Sequence, residues 1–245
     1  MNDIPRNENE QNNYSSAQTN AEAANIDAES ITEETVETFD LKKEVFEWFY
    51  TIAIALLIAF LIKAFIFDVV RVDGSSMYPT LINNDRLIIT KIGYSPKSQD
   101  IIVLDSTYKN RQEYFSAVEK ATGKNYSAIG KLIDYFKLPK NLKRRYYIKR
   151  IIGMPGQTVD IIDGKVYVDG ELFDEVDYYD GITPITDPTV SYPVTVQEGY
   201  VFVMGDNRPG SKDSRSSELG QVPIKAILGK AQVRIWPLNT ISLTK

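Results

Sequence analysis

Gly74-Ser75-Ser76-Met77-Tyr78-Pro79-Thr80-Leu81 is the stretch around which the chain is organised, and it begins seven residues after a long apolar run ends. Its glycine and proline are typical of a turn or loop and disfavour the interior of a helix or strand. Two adjacent serines in such a loop are most simply ordinary loop residues. A serine just beyond a membrane-spanning segment can also be a nucleophile, and the rest of the chain has to distinguish these two interpretations.

Two residue types are missing from the 245-residue sequence, and each absence restricts the chemistry. Without cysteine there are no disulfides, no thiolate nucleophile and no thiolate metal site. Without histidine there is neither a Ser-His-Asp triad nor a histidine-ligated zinc site. A serine nucleophile would therefore need another base. Lysine can fill that role when burial lowers its pKa.

Residues 48–67, WFYTIAIALLIAFLIKAFIF, are apolar on every face of a helix and contain one charged residue, Lys63. Twenty helical residues cover about 30 Å, which is the thickness of the hydrocarbon core of a bilayer. We predict one transmembrane helix over residues 46–67, with a buried core helix as the alternative. Because Ile66 to Val72 is rich in β-branched residues, the helix can also end before Phe67 and give way to a strand.

The net charge of −5 is unevenly distributed along the chain. Residues 1–40 contain ten acidic residues, one basic residue and few large apolar side chains. Such a segment buries too little surface to offset the entropy of ordering, so residues 1–45 are predicted to be a disordered acidic tail. The remainder is mildly basic, which suits an anionic membrane surface. It has no basic patch interleaved with aromatics, so we predict no nucleic acid partner.

Short β segments dominate residues 68–245. Apolar runs bounded by turn residues predict strands over residues 85–92, 100–104, 146–153, 159–162, 165–168, 200–204 and 227–236. Residues 106–145 instead space their apolar side chains for one or two amphipathic helices. We favour a helical insertion packed on the domain over a membrane-surface helix, which the basic residues at its end also allow. The sequence therefore predicts a membrane-tethered, mostly β domain.

Three segments of this domain carry polar chemistry: the serine loop, Lys149 within an apolar strand, and the polar loop at 205–215. A neutral lysine amine can take the proton of a serine hydroxyl and later return it to a leaving amine. Ser211 is a candidate to orient that amine, and backbone N–H groups of a Gly-Ser-Ser turn can stabilise an oxyanion. Asp206 and Asp213 carry charges that Arg150, Arg208 and Arg215 can pair with to fix the loop.

These segments resemble the successive sequence boxes of bacterial type I signal peptidases, and they occur in the same order. The boxes are Gly74-Ser75-Ser76-Met77-Tyr78-Pro79-Thr80, then Tyr147-Ile148-Lys149-Arg150 with Gly153-Met154-Pro155-Gly156, and finally Gly205-Asp206-Asn207-Arg208 with Ser211, Asp213, Ser214 and Arg215. The resemblance runs from about residue 46 to the C-terminus and includes a single N-terminal anchor. Any one box is weak evidence, but the ordered set is specific.

The resemblance implies a role for each matched residue. Ser76 corresponds to the nucleophile, Lys149 to the general base and Ser211 to the serine that orients the lysine. Asp206 with Arg150 and Asp213 with Arg215 correspond to structural ion pairs. The implied fold has a largely antiparallel β catalytic core, a small inserted β region, the helical insertion over 106–145 and one preceding transmembrane helix. The implied substrates are secretory preproteins with small residues at positions −1 and −3, and neither a metal nor an organic cofactor is expected.

The sequence departs from the family pattern at some positions. Gly74 stands where some members carry a serine whose hydroxyl serves the oxyanion hole, which leaves only backbone N–H groups, with that of Ser76 as the best candidate. Between the matched residues, the sequence also differs from the family pattern at Pro209, Gly210 and Lys212. The 106–145 insertion has no counterpart in that pattern. A single anchor and a glycine at position 74 resemble the Gram-positive branch. That resemblance implies a cell-membrane protein with a cytoplasmic N-terminus and an extracellular catalytic domain over residues 68–245. The charges flanking the helix are nearly balanced, so they do not indicate this orientation.

Two other classes of function remain as alternatives. A self-cleaving repressor-type Ser/Lys protease shares the β core, but the membrane span and the lack of a DNA-binding segment argue against it. A catalytically silent, membrane-tethered domain could instead bind peptides or an ion through the 205–215 loop. The spacing of Asp206, Asn207 and Asp213 does not match a calcium-binding loop.

Overall fold

The computed structural model of the protein describes residues 41–123 and 127–244. The acidic tail predicted for residues 1–45 lies outside the described residues, except for its last five. These five are helical, because the first helix begins at Leu41. Within the described residues, the chain divides between Ala55 and Leu56 into two units. The residues predicted to form the site all belong to the second unit.

Helix α1 spans Leu41–Leu61 and continues into a π-helical turn over Ile62–Ile66. Strand β1, Phe67–Arg71, follows at once. The helical segment Glu44–Ile66 is the one part of the described chain that is long and apolar enough to cross a membrane. It starts a little earlier than predicted and ends one residue earlier, because Phe67 to Arg71 pairs with a neighbouring strand.

The larger sheet has eight strands. Besides β1 they are β2 Arg86–Thr90, β3 Ile101–Asp105, β4 Tyr146–Gly153, β9 Tyr200–Met204, β10 Val222–Pro223, β11 Ile227–Trp236 and β12 Ser242–Leu243. They follow the order β1-β2-β11-β3-β4-β9-β10, with β12 paired to β11. Every pairing in this sheet is antiparallel. The mostly β, antiparallel fold predicted from the sequence is therefore correct.

A smaller antiparallel sheet of four strands forms the inserted β region. Its strands are β5 Thr158–Ile162, β6 Lys165–Val168, β7 Glu171–Leu172 and β8 Val194–Thr195, in the order β7-β6-β5-β8. Asp163 and Gly164 join β5 to β6 with φ angles of 50° and 74°. Positive φ at both central residues is the signature of the type I′ turn that matches strand twist, which is why Asp-Gly marks this hairpin in the sequence.

The helical insertion consists of α2, Tyr108–Thr122, and α3, Ala128–Tyr135. Phe115 of α2 is buried, and so is Arg111, which forms an ion pair with Asp105 at the end of β3. A buried guanidinium needs such a partner, and this one fixes the first turns of α2 to the sheet. Helix α2 is thus packed against the sheet through Arg111 and Phe115.

Strands β3 and β4 lie in the middle of the larger sheet, and all five residues of β3 are buried. Tyr146–Gly153 is consequently a central strand between β3 and β9. It is not an edge strand with solvated charges, since Lys149 and Arg150 are 3% and 1% exposed. Burying two cations in a central strand requires a partner or a changed protonation state for each.

Candidate active site

The serine loop is anchored by its apolar residues. Met77 and Leu81 are both 1% exposed and belong to the core beneath β1, β2 and β3. Within the loop, the N–H of Tyr78 donates to the carbonyl oxygen of Ser75 at 3.0 Å, and the N–H of Leu81 donates to that of Met77 at 2.9 Å. Burial of Met77 thus holds the residue before it, Ser76, at a fixed place at the edge of the core.

Lys149 reaches this serine from the centre of β4, where it pairs with Ile102 of β3. Its Nζ atom lies 2.7 Å from Ser76 Oγ and donates a hydrogen bond to the carbonyl oxygen of Ile148 at 3.0 Å. The aromatic ring of Tyr147, two residues earlier on the same strand, lies 5.3 Å from Nζ. A serine hydroxyl and a lysine amine that the sequence separates widely are therefore in direct contact.

Burial lowers the pKa of the Lys149 ammonium to about 8, from an ordinary value of 10.5. The cause is the removal of the charged form from water, which opposes protonation in an apolar environment. The carboxylates of Asp213 and Asp206 act in the opposite direction and favour the charged form, while Arg215 adds to the lowering. Desolvation outweighs the two carboxylates, so an appreciable fraction of Lys149 is neutral near pH 8.

The polar loop that follows β9 binds the serine loop through its backbone and one side chain. The N–H of Asn207 donates to the carbonyl oxygen of Ser76, and its Nδ2 donates to that of Ser75, both at 3.1 Å. Gly205 makes this approach possible, because a Cβ atom there would lie 2.3 Å from the Ser76 carbonyl oxygen and 2.2 Å from Ser211 Oγ. Only glycine fits such a close backbone contact.

Both ion pairs that the resemblance implies are present and buried. Arg150 donates from Nε and Nη2 to the two carboxylate oxygens of Asp206 at 2.9 and 2.8 Å. Arg215 holds Asp213 in the same two-point geometry, at 2.9 and 2.8 Å. Asp206 also accepts a hydrogen bond from the hydroxyl of Thr80 at 2.5 Å, which ties it to the serine loop. Bidentate pairs of this kind fix geometry as well as charge.

Arg208 forms a third ion pair, which the sequence did not predict. Its guanidinium contacts both carboxylate oxygens of Glu175, whereas Asp206 and Asp213, its predicted candidates, are taken by other arginines. The hydroxyl of Thr183 accepts a further hydrogen bond from it at 2.7 Å. Glu175 lies outside every strand that the sequence predicts. Glu175 is one of several acids in residues 171–180, and nothing in the sequence identifies it as the partner of Arg208, 33 residues later.

Three predicted residues lie near Ser76 and Lys149 but form no hydrogen bond with Lys149 within the described residues. The hydroxyl of Ser211 is buried and has no hydrogen-bond partner within the described residues, so no such bond joins it to the lysine. The N–H of Gly74 donates to Asn83 Oδ1 at 3.0 Å, which engages it in the turn. Ser75 contributes its carbonyl oxygen as an acceptor for Tyr78 and Asn207. Within the described ranges, the N–H of Ser76 donates no hydrogen bond.

A cleft of about 740 Å³ contains both members of the Ser76–Lys149 contact. One wall is β1 with the residues that follow it, and the other is the start of β4. Strand β1 lies at the end of the sheet order, with β2 as its one neighbour in the sheet. Its other edge therefore has backbone groups that can pair with an extended chain.

Ligation of a metal by the 205–215 loop is not supported by its contacts. The carboxylates of Asp206 and Asp213 are occupied by Arg150 and Arg215. Across residues 41–123 and 127–244, no group of three or more acidic side chains is arranged to hold a metal ion. The arrangement instead provides a serine hydroxyl, a desolvated amine and a loop held in place by ion pairs.

Comparison with known proteins assigns the family. Residues 45–236 match the family model described as signal peptidase, peptidase S26. Signal peptidase I from Bacillus licheniformis is 33% identical over 211 residues, covering 83% of this chain and 95% of that protein. Signal peptidase I S from Bacillus subtilis (strain 168) is 33% identical over 220 residues, covering 85% and 98%.

A crystal structure of a signal peptidase I from Enterococcus faecalis V583 overlaps 57% of this chain and 98% of its own at 25% identity. Its TM-score of 0.37 is too low to carry a fold assignment. The family assignment does not depend on this structure, because the family model and both relatives match most of the chain. The chain therefore belongs to the signal peptidase family, peptidase S26, with the enzyme class of a signal peptidase I that removes signal peptides.

Proposed function

We propose that the chain removes signal peptides by a Ser/Lys dyad in which Ser76 is the nucleophile and Lys149 is the general base. The observation that carries this proposal is the 2.7 Å distance between Lys149 Nζ and Ser76 Oγ, at a lysine that is 3% exposed. A base must lie within hydrogen-bond reach of the proton it removes and must be neutral at working pH. A pKa of about 8 meets the second condition.

In the first half of the reaction, neutral Lys149 takes the hydroxyl proton of Ser76 as Oγ attacks the carbonyl carbon of the scissile bond. The resulting ammonium then gives this proton to the nitrogen of the departing mature protein. The signal peptide is left as an ester on Ser76. The proton that Lys149 removed from Ser76 is thus the proton that lets the leaving nitrogen depart from the tetrahedral intermediate as a neutral amine.

The oxyanion requires donors that are not already engaged. The N–H of Ser76 is the best candidate, because the N–H of Gly74 is used by Asn83. Hydrogen bonds from Asn207 to the carbonyl oxygens of Ser75 and Ser76 hold the peptide units of this turn in place. We assign to Gly74 and Ser75 the role of shaping the turn.

In the second half, Lys149 takes a proton from water while the water oxygen attacks the ester carbon. Collapse of the second tetrahedral intermediate releases the signal peptide, and the proton on Lys149 returns to Ser76 Oγ. Ser211 is proposed to orient the lysine during these transfers. In support, its hydroxyl is buried, lacks a partner among the described residues and lies against Gly205, which also contacts the Ser76 carbonyl.

The proposed substrates are secretory preproteins with small residues at −1 and −3. An extended chain that pairs with the open edge of β1 would point alternate side chains to the same wall, which explains why the two positions are constrained together. Val72, Met77 and Ile148 line the cleft beside the nucleophile and are all buried. A close-packed apolar wall of this kind leaves little room for large side chains.

The apolar helix and the family together indicate a membrane-anchored enzyme. We propose that the anchor crosses the cell membrane once, with the N-terminus in the cytoplasm and residues 68–245 outside. The absence of native cysteine allows a direct test with single-cysteine variants at Ser16 and Val176. In intact cells, a membrane-impermeant maleimide should label position 176 and leave position 16 unlabelled. The reverse pattern would overturn this orientation.

The dyad is tested with the purified full-length protein in detergent and a preprotein substrate. Ser76→Ala and Lys149→Ala should each lose at least about 10³-fold in kcat, because neither half of the reaction can proceed without both groups. The control variants Ser95→Ala and Lys165→Ala change the same residue types at exposed positions outside the cleft and should keep full activity. Near-full activity in either dyad variant would exclude the mechanism.

A further inference from the structure

We propose that the helical insertion forms a second binding site for the preprotein, which selects acidic side chains about five residues from the scissile bond. This inference rests on the proposed function, because it concerns the same bound chain. The site is a groove of about 470 Å³ between α2, α3 and the start of β11. It is called the insertion groove below.

The insertion groove adjoins the active-site cleft. Arg144 and Leu228 line both of them. The insertion is also held to this junction, because the N–H of Arg144 donates to the hydroxyl of Tyr135 at 3.3 Å and its guanidinium lies 5.6 Å from the Tyr135 ring. A chain that leaves the cleft at the Arg144 end therefore enters the groove.

The spacing along β4 and the two residues before it sets the substrate position that reaches the groove. Arg144 lies five residues before Lys149, and five residues of extended chain cover about 16 Å. A substrate that runs beside this strand from Ser76 reaches Arg144 after the same number of residues. The groove should therefore contact positions five and six on the side of the scissile bond that faces Arg144, which lines both the cleft and the groove.

The charges lining the insertion groove favour an acidic occupant. Its carboxylate, Asp105, is already paired with buried Arg111, and Lys131 is paired with Glu119. Arg144 and Lys225 form no ion pair in the described part of the chain, and both side chains are exposed, although the charge of Asp105 also acts on Arg144. Unpaired cations at a surface attract carboxylates on a partner and repel cations.

Aromatic side chains also line the insertion groove. Phe136 is 75% exposed at its rim, and the ring of Phe115 forms part of its wall. An apolar surface with cations at its border suits a flexible peptide that carries acidic residues among apolar ones. The preprotein is the occupant we infer, because the groove is continuous with the cleft in which that chain is cut.

The test compares three fluorogenic peptides that differ only at positions five and six from the scissile bond, with Glu-Glu, Gln-Gln or Lys-Lys there. Each set is made for both sides of the bond and assayed with the full-length protein in zwitterionic detergent. On one side, the Glu peptide should show a KM about two- to five-fold below that of the Gln peptide with unchanged kcat, as expected for an exposed ion pair. A KM independent of charge on both sides would overturn the proposal.

Lys225→Glu should abolish the preference for Glu and favour the Lys peptide. Lys120→Glu is the matched control, because it reverses another exposed lysine of the insertion that does not line the groove. Equal shifts in both variants would indicate a general charge effect and overturn the site. If phosphatidylglycerol in the micelles alters wild type but not Lys225→Glu while peptide charge has no effect, the groove binds lipid headgroups and the proposal is wrong.

A binding measurement distinguishes a failure of the insertion groove proposal from a failure of the Ser/Lys mechanism. Fluorescence anisotropy of the same peptides with Ser76→Ala measures the charge preference without any cleavage. A preference that persists in binding supports the groove even if the proposed mechanism fails. Cleavage of all peptides at one rate, with no preference in binding, would refute the groove and leave the dyad intact.

Discussion

Lys149 Nζ lies 2.7 Å from Ser76 Oγ, although 73 residues separate the two in the sequence. The contact forms because a central strand carries the lysine and a loop anchored by buried Met77 carries the serine. A charged amine in that position is disfavoured by desolvation, so the same burial that brings the groups together also prepares the lysine to accept a proton. Geometry and protonation state thus have one cause.

The first prediction concerns the pH dependence of cleavage. If Lys149 is the base, as proposed, it must be neutral to act, and with a pKa of about 8 kcat/KM should rise about tenfold per pH unit below pH 8 and level off above it. The measurement is a pH profile of preprotein cleavage from pH 6 to 10. An optimum below neutrality, with activity falling above it, would indicate a carboxylate base instead.

The second prediction is that Lys149 lowers the stability of the protein at neutral pH. In the unfolded chain the lysine keeps its proton up to pH 10.5, whereas in the folded protein it loses the proton near pH 8. Between these values the unfolded state binds more protons, so stability rises with pH. At about 1.4 kcal/mol per pKa unit, the cost at pH 7 is on the order of 3 kcal/mol.

Lys149→Met removes this cost and keeps a side chain of similar length. It should unfold at a higher temperature than the wild type at pH 7, and the difference should shrink as the pH approaches 10. Thermal unfolding of the full-length protein in detergent measures both values. Lys165→Met, at an exposed position, should show no such pH-dependent difference. A Lys149→Met variant that is less stable than the wild type at pH 7 would contradict the prediction.

The strands of the core could be predicted from local pattern alone. Tyr146–Gly153, Tyr200–Met204 and Ile227–Trp236 have the bounds expected from apolar runs that end at turn residues. The turn at Asp163-Gly164 was equally predictable, because its backbone conformation requires positive φ. These features depend on neighbouring residues in sequence, which is why sequence alone determines them.

Other features depend on what packs across the fold. Whether Lys149 is solvated or buried is decided by β3 and β9 on either side, and the strand itself is compatible with both. The pairing of Arg208 with Glu175 depends on a distant loop folding back. Gly205 resembles an ordinary glycine at the end of a strand until Ser76 is placed against it. Tertiary proximity supplies the missing information in each case.

The third prediction concerns this glycine. In Gly205→Ala the new methyl group would lie 2.3 Å from the Ser76 carbonyl oxygen, a backbone atom that can move away only if Ser76, the proposed nucleophile, also shifts. A displacement of about 1 Å can cost about 10²-fold in rate, so kcat should fall at least tenfold. Gly170→Ala is the control, since a Cβ there meets nothing within 4 Å and can only add strain at its φ of 82°. Equal activity of the two variants would contradict the steric argument.

The last prediction concerns the buried pair of Arg150 and Asp206, which joins β4 to the loop after β9 and, through Thr80, to the serine loop. Asp206→Ala leaves the guanidinium without its carboxylate and should cost about 3–5 kcal/mol of stability. Removing both charges with Arg150→Met and Asp206→Ala should cost less than the sum of the single changes, because no unpaired charge then remains. Denaturant unfolding of the three variants measures this coupling.

Asp134→Ala, which breaks an exposed pair with Lys137, should change stability by less than about 0.5 kcal/mol. Additive costs, or an Asp206→Ala effect as small as that of Asp134→Ala, would show that the pair does not hold the loop against the strand.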